Sequence, residues 1–358
     1  MRVLPPVVRV RALRAKPLSA VVVLSAVALT LTACSSSDPS SDGGPDSTKG
    51  SSQKLVEISP TTGKAMPNGR PDHPVFIVKV ENTEGGQPQY GLNKADMVME
   101  ELVEGGLTRL AAFYYSNLPT KVGHVRSMRA SDIGIASPVG GQIVASGGAA
   151  GTYKRVKKAG ITIFSEDYGA PGFSSDPAKV RPYNRLVNLQ TIAKKAKDTQ
   201  IFGPYLTWTP PNSKTTPTPT PSGSATPVAP KTAKSVDVGF SNSTHTRWAF
   251  SGHTWHRTNG HAAAGQDFDP TTLIVMFCKV GDAGYLDPAG NPVPETDLKG
   301  TGRAVLFDGK KEIDATWSKS TFKSTISFSA KDGSPVTINP GHVFIELVPK
   351  DGGSLSTG

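Results

Sequence analysis

The sequence is poor in cysteine, acidic residues and long apolar runs. Its 358 residues hold two cysteines, Cys34 and Cys278, too few for the disulfide framework of a small stapled scaffold or for a cysteine-built zinc site. The one sustained apolar run, Leu18 to Leu31, is shorter than the ~20 residues a membrane-spanning helix needs. Acidic residues number 29 against 39 basic ones, and aromatics make up 7 %. The Lys and Arg excess forms no basic helix and is not interleaved with aromatics, so nucleic acid is not expected as a partner. Catalytic signatures are also missing. Ser51…Lys54 and Ser320…Lys323 have S-x-x-K spacing without the companion motifs of penicillin-recognising enzymes, and no Rossmann or Walker spacing occurs.

An export signal opens the chain. Arg2, Arg9, Arg11, Arg14 and Lys16 precede the apolar run, and Leu31-Thr32-Ala33-Cys34 reads as a lipobox. Residues 1–33 are therefore expected to be a lipoprotein signal peptide, with mature protein beginning at an acylated Cys34 carrying palmitate-type chains. The expected address is the extracytoplasmic face of the cell membrane, held by that lipid anchor. Removing five basic and no acidic residues takes the formal charge from +10 to 34 − 29, or +5, a balance suited to anionic lipids and wall polymers. Cys278, inside Thr271–Cys278, has no partner once Cys34 is lipidated and is expected to be a buried, inert thiol.

Composition divides the rest. Residues 34–54, rich in Ser, Asp, Gly and Pro, read as a tether, residues 209–234 as a Pro/Thr-rich linker and residues 351–358 as a tail. Between them lie an N-terminal block, 55–208, and a C-terminal block, 235–350. In the first, strands are expected at Val75–Val80, Asp96–Val103, Leu107–Ser116, Gln142–Ser146 and Ile161–Ser165. Helices are expected at Ser131–Pro138, Gly151–Ala159 and Leu189–Lys197. The fold class expected is mixed, α+β or α/β: a layered α/β N-terminal block with a β-hairpin, followed by a strand-rich, mainly antiparallel C-terminal block. Glu104-Gly105-Gly106 fits the hairpin turn, because paired glycines allow positive φ angles and would break the rival helix suggested by Leu92, Ala95, Met99 and Leu102.

The segment Gln89 to Arg129 is dense in charge, glycine and aromatics. Its features Gln89, Gly91-Leu92, Ala95-Asp96, Val98, Glu100, Glu104-Gly105-Gly106, Thr108-Arg109 and Lys121-Val122-Gly123-His124-Val125-Arg126-Ser127-Met128-Arg129 resemble the YerB-like family of bacterial lipoproteins. His124 stands where that family has Pro, and Met128 where it has Ala. Further matches are Gly300-Thr301-Gly302, Asp308-Gly309, Thr316-Trp317, Asp332-Gly333 and Asn339-Pro340-Gly341. Arg181-Pro182-Tyr183-Asn184-Arg185 resembles the family's R-x-PHN element with Tyr183 in place of His. The resemblance implies an envelope lipoprotein and carries no agreed biochemical activity with it.

The candidate ligand-binding residues are Glu104, Arg109, His124, Arg126, Ser127, Arg129 and Asn184. Guanidinium groups fork onto carboxylates or phosphates, so an anionic envelope ligand or a wall-synthesis protein is the expected partner, with no cofactor and no metal. Ala145 to Gly151 joins an expected strand to an expected helix and reads first as a plain tight turn, with an anion held by its backbone N–H groups as the weaker alternative. Replacing Arg126 and Arg129 with Gln is expected to weaken binding with little loss of stability, unless they are pins and Glu104 bridges Arg109 across the hairpin. The competing reading is a hydrolase or transferase acting on wall material with Glu104 and His124 as acid and base. His245, His253, His256 and His261 crowd one stretch, but strand geometry would separate them.

Overall fold

The computed structural model describes residues 57–210, 231–287 and 289–358. The signal segment, Cys34, the 34–54 tether and most of the 209–234 linker lie outside the described residues. The strands in chain order are β1 Phe76–Glu81, β2 Met97–Leu102, β3 Thr108–Tyr114, β4 Val122–Gly123, β5 Gln142–Ala145, β6 Ile163–Ser165, β7 Phe173–Ser175 and β8 Arg185–Val187. The second half adds β9 Ser235–Gly239, β10 His245–Ser251, β11 Thr254–Arg257, β12 Thr272–Leu286, β13 Pro292–Asp297, β14 Gly300–Asp308, β15 Lys311–Lys319, β16 Ser327–Ser329, β17 Pro335–Val336, β18 Val343–Pro349 and β19 Ser354–Thr357.

The hairpin forms as the glycines dictate: β2 and β3 pair antiparallel around a turn in which Gly105 and Gly106 take φ of 70° and 72°. Helices are fewer and shorter than a layered α/β block requires. They are α1 Asp132–Ala136, α2 Ala150–Lys158 and α3 Leu189–Ala193, of five, nine and five residues. The fold is therefore mixed and dominated by sheet. Each short helix covers only a patch of sheet, and strands and loops cover the rest.

One twelve-stranded sheet runs β17-β16-β15-β14-β12-β18-β2-β3-β1-β5-β6, with β13 on β12. β18 is the join, because it lies parallel to both β12 and β2 and so makes one sheet of the two blocks. The small sheet β11-β10-β9-β19 covers one face, where Trp248 meets Phe344 and Trp255 meets Phe307 edge to face. Because both faces are covered, side chains of either parity on β1, β2 and β18 are buried. Cys278 lies in this interior, where burial pushes its thiol up and keeps it protonated.

Burial on both faces forces unusual polar chemistry inside. Glu100 on β2 and Glu346 on β18 are register partners. The Trp248 indole N–H donates to Glu346 at 2.7 Å, and Thr246 and Asn82 donate to Glu100 at 3.0 Å. Burial raises both carboxyls, Glu346 well above the usual range with the Glu100 charge adding to it and the Arg257 charge opposing, which favours one proton held between the two. A folded-state pKa above the unfolded one gives stability that is present below the ordinary glutamate value and lost as pH rises through the raised one. Glu346→Gln keeps the Trp248 bond, donates to Glu100 and has no proton to lose. Its melting temperature should match wild type near pH 4 and exceed it increasingly toward pH 8, by about 1–3 kcal/mol of stability. Parallel pH profiles would contradict the shared proton.

Candidate functional site

The site grows from the ends of β1 and β3. Glu81 closes β1 opposite Arg109 of β3, and its carboxylate is caught between two guanidinium groups. Arg109 Nη2 lies 3.7 Å from Glu81 Oε2, while Arg126 Nε reaches the same oxygen at 2.6 Å as an ion pair not aligned for a hydrogen bond. Arg109 also donates to the Ser127 carbonyl at 3.2 Å. Burial, with Arg129 beside it, pushes Arg109 down to about 10.

The loop after β4 supplies the next pair. Arg129 forks onto Glu104, Nε to Oε1 and Nη2 to Oε2, both at 2.6 Å. Its remaining Nη1 donates to the carbonyls of Ser127 and Met128. Burial works against the Arg129 charge, but the hydrogen bonds and charge of Glu104 outweigh it and hold the group above its usual range. The alternative, a Glu104–Arg109 bridge across the hairpin, does not form. Arg109 stands opposite Glu81 and Glu101 in the sheet register, whereas Glu104 sits on the turn and turns toward Arg129. Both Arg126 and Arg129 are thus tied to carboxylates, Glu81 and Glu104, as well as lining the cleft, so these pairs lead us to expect that their loss costs stability.

Arg181 and Arg185 share Glu166, with Arg181 Nη2 donating to Oε1 at 2.9 Å and Arg185 Nε to Oε2 at 2.7 Å. Arg126, Arg129, Arg181 and Arg185 all line one cleft of about 420 Å³. Gly147 and Gly148 line it, followed by Ala149 and Thr152 from the start of α2, a helix whose first turn has no side-chain cap. The leading N–H groups of such a helix have no partner within it. A side chain at Gly147 would collide with the Asp167 carboxylate, which also lines the cleft. The C-terminal half contributes Asp287, Ala289 and Val293.

Of the residues singled out from sequence, the structure brings Glu104, Arg126, Ser127 and Arg129 to this cleft. Arg109 lies behind it. His124 is fully buried elsewhere, with Nδ1 2.9 Å from the Gly86 carbonyl and Nε2 3.1 Å from Asp176 Oδ2. Asp176 is held below the usual carboxylate range, first by the backbone N–H of Ala178 and then, against its own burial, by His124. Asn184 gives its carbonyl to the Asp176 N–H, and its side-chain Oδ1 is buried without a hydrogen-bond partner among the described residues. Glu104 and His124 therefore share no cleft.

Arg181, Arg185 and Asp167 complete the cleft and were not singled out. The first two stand inside the arginine-rich element read from sequence, which was their signal, while Asp167 has none. His245 pairs with Asp237 and His256 with Asp269, and among the described residues no group of three metal-ligating side chains converges.

Comparison with known proteins agrees with this architecture. Residues 61–202 match the model of the N-terminal domain, and residues 236–345 that of the C-terminal domain, of a protein family of unknown function, DUF3048. A Bacillus subtilis (strain 168) protein named "Putative lipoprotein YerB" is 26 % identical over 300 residues, spanning 80 % of this chain and 84 % of that protein. The crystal structure of the YerB protein from Bacillus subtilis shares the fold with a TM-score of 0.66 at 21 % identity, covering 85 % of this chain and 100 % of that one.

Proposed function

Since the chain belongs to the DUF3048 family, whose two domain models it matches in order, we propose that it is a lipid-anchored cell-envelope protein that binds an anionic ligand without transforming it. The ligand is an anionic wall component, or an anionic group on a wall-synthesis protein. The observation that carries this reading is the cleft itself, which Arg126, Arg129, Arg181 and Arg185 line together with Gly147 and Gly148. Guanidinium groups and free backbone N–H groups converging on one small volume suit an oxyanion. Glu104 is committed to Arg129 and His124 is buried away from the cleft, so an acid and base pair is not assembled. Incubating the purified chain with peptidoglycan and its precursors should give binding without turnover. Turnover that Glu104→Gln abolishes would overturn this reading.

The address is supported by the lipobox before Cys34 and by the lipoprotein name of the Bacillus relative. Among the described residues no helix is long and apolar enough to cross a membrane. Cys34→Ala should shift the protein from the membrane fraction to the soluble fraction or leave it unprocessed, with the acyl mass lost from its N-terminus. Unchanged fractionation and mass would contradict the anchor.

A further inference from the structure

A second concentration of positive charge is built where the large sheet divides. β12 pairs with β14 as far as Met276 and Ala304, and from Lys279 onward it pairs with β13 instead. At this divergence opens a cleft of about 550 Å³, lined by Phe277 and Lys279 of β12 and by Thr301 and Arg303 of β14. Alternation along the strand puts Phe277 and Lys279 on one face of β12. The Arg303 guanidinium carbon lies 4.8 Å from the centre of the Phe277 ring, which places it on that face too. The buried Trp317 ties the parted strands, its indole N–H donating to the Phe277 carbonyl at 3.0 Å.

Lys279, Lys299, Arg303 and Lys350 are exposed and line this cleft against Asp297 alone, a balance of 4 − 1, or +3. The arginine cleft, with Arg126, Arg129, Arg181 and Arg185 against Glu104, Asp167 and Asp287, comes to 4 − 3, or +1. Its arginines are also largely committed to protein groups, leaving Arg126 Nη2 and Arg181 Nε and Nη1 unengaged among the described residues. Of the four cations in the second cleft, only Lys350 has an acidic partner among the described residues, Asp351 at 4.0 Å. Like charges gathered without partners repel one another, and an arriving polyanion relieves that cost. The space also continues. Lys299 lines two adjoining clefts of about 760 and 230 Å³, and Gly300 and Thr301 are shared with the larger. Ser318, Ser320, Ser324, Thr325 and Ser327 line that larger part, and Ser318 stands opposite Thr301 in the sheet register with both exposed.

We infer that this groove, independently of the arginine cleft, binds a linear polymer of polyol units joined by phosphodiesters. Its phosphates meet the four cations, and its free hydroxyls meet the part lined by serine and threonine. A nucleic acid carries the same phosphodiesters, but single strands are held by bases stacked on open aromatic faces. Here Arg303 and Lys299 lie over the Phe277 and Phe322 rings, and Trp317 is buried.

The test places the acylated full chain in phosphatidylcholine vesicles and titrates it against end-labelled poly(glycerol phosphate), reading anisotropy at several salt concentrations. Binding should fall with salt at a log–log slope of about −2 to −3, as expected for three or four phosphate contacts. Lys279→Gln with Lys299→Gln, both at exposed positions, should weaken binding about tenfold and flatten the slope by roughly 1.4, with the melting temperature unchanged. Arg181→Gln should leave polymer affinity as in wild type. A loss in Arg181→Gln, with none in the double lysine variant, would give the polymer to the arginine cleft and overturn the second site. Glycerol 1-phosphate binding as tightly as the polymer would contradict an extended groove. An oligodeoxythymidylate of equal charge binding as tightly would show that phosphate charge alone is read, and the polyol specificity would fall.

Discussion

Lys79→Met should leave a chain without cooperative unfolding at pH 7. Lys79 is fully buried in the middle of the large sheet, its Nζ 2.5 Å from Glu101 Oε1 and 2.8 Å from Asp132 Oδ1. Burial raises the Glu101 carboxyl, the Lys79 charge opposes this and Asp132 adds to it. Without the ammonium, two carboxyls face each other in the interior, and breaking a buried pair costs about 3–5 kcal/mol for one stranded charge. Total stabilities of about 5–15 kcal/mol leave little after such a loss. Without the Lys79 charge the folded Glu101 carboxyl is raised further, so the lost stability should return in part as pH falls toward 4. Replacing all three, as Lys79→Met with Glu101→Gln and Asp132→Asn, should restore folding at pH 7. A single Lys79→Met variant that melts within a few degrees of wild type at pH 7 would contradict this account of the core.

The second large effect is at the cleft wall. Arg129→Gln strands Glu104, which Arg129 grips through two hydrogen bonds with both side chains about one-tenth exposed. A loss of about 3 kcal/mol is expected by the same reasoning, read as a drop in melting temperature. Glu104→Gln added to Arg129→Gln should recover a clear part of it, because the neutral pair removes the stranded charge. The two losses should therefore be non-additive by roughly 1–2 kcal/mol. Simple additivity would show the fork to be energetically idle. The two effects are physically joined, since Asp132 accepts the Arg129 backbone N–H at 2.7 Å while holding Lys79. The buried triad thus fixes the start of the loop that carries the cleft arginines.

What was legible in the sequence was local. Gly105-Gly106 specified the hairpin, alternating and β-branched runs specified the strands, and the arginine block pointed to the cleft. Pairings made across the fold were not legible. Phe76–Glu81 reads as an ordinary strand in which Lys79 would face water, and only Glu101 and Asp132 explain its burial. Glu100 and Glu101 are adjacent and must point to opposite faces of β2; covering both faces buries both. The parallel pairing of β18 with β2 joins residues 246 positions apart, as Val343 with Met97, and no local pattern encodes it. Asp176, which occupies His124, is likewise brought in from a distant loop.

The central claim is that the cleft binds an anion through arginine donors the protein does not itself use. Calorimetric titration of the full chain with inorganic pyrophosphate tests it most directly, run on wild type and on Arg181→Gln at two salt concentrations. The account predicts saturable binding that weakens about tenfold in the variant, the equivalent of ~1.4 kcal/mol, and weakens further as salt is raised, with the melting temperature of the variant unchanged. Absence of binding, or equal affinity in wild type and Arg181→Gln, would contradict it.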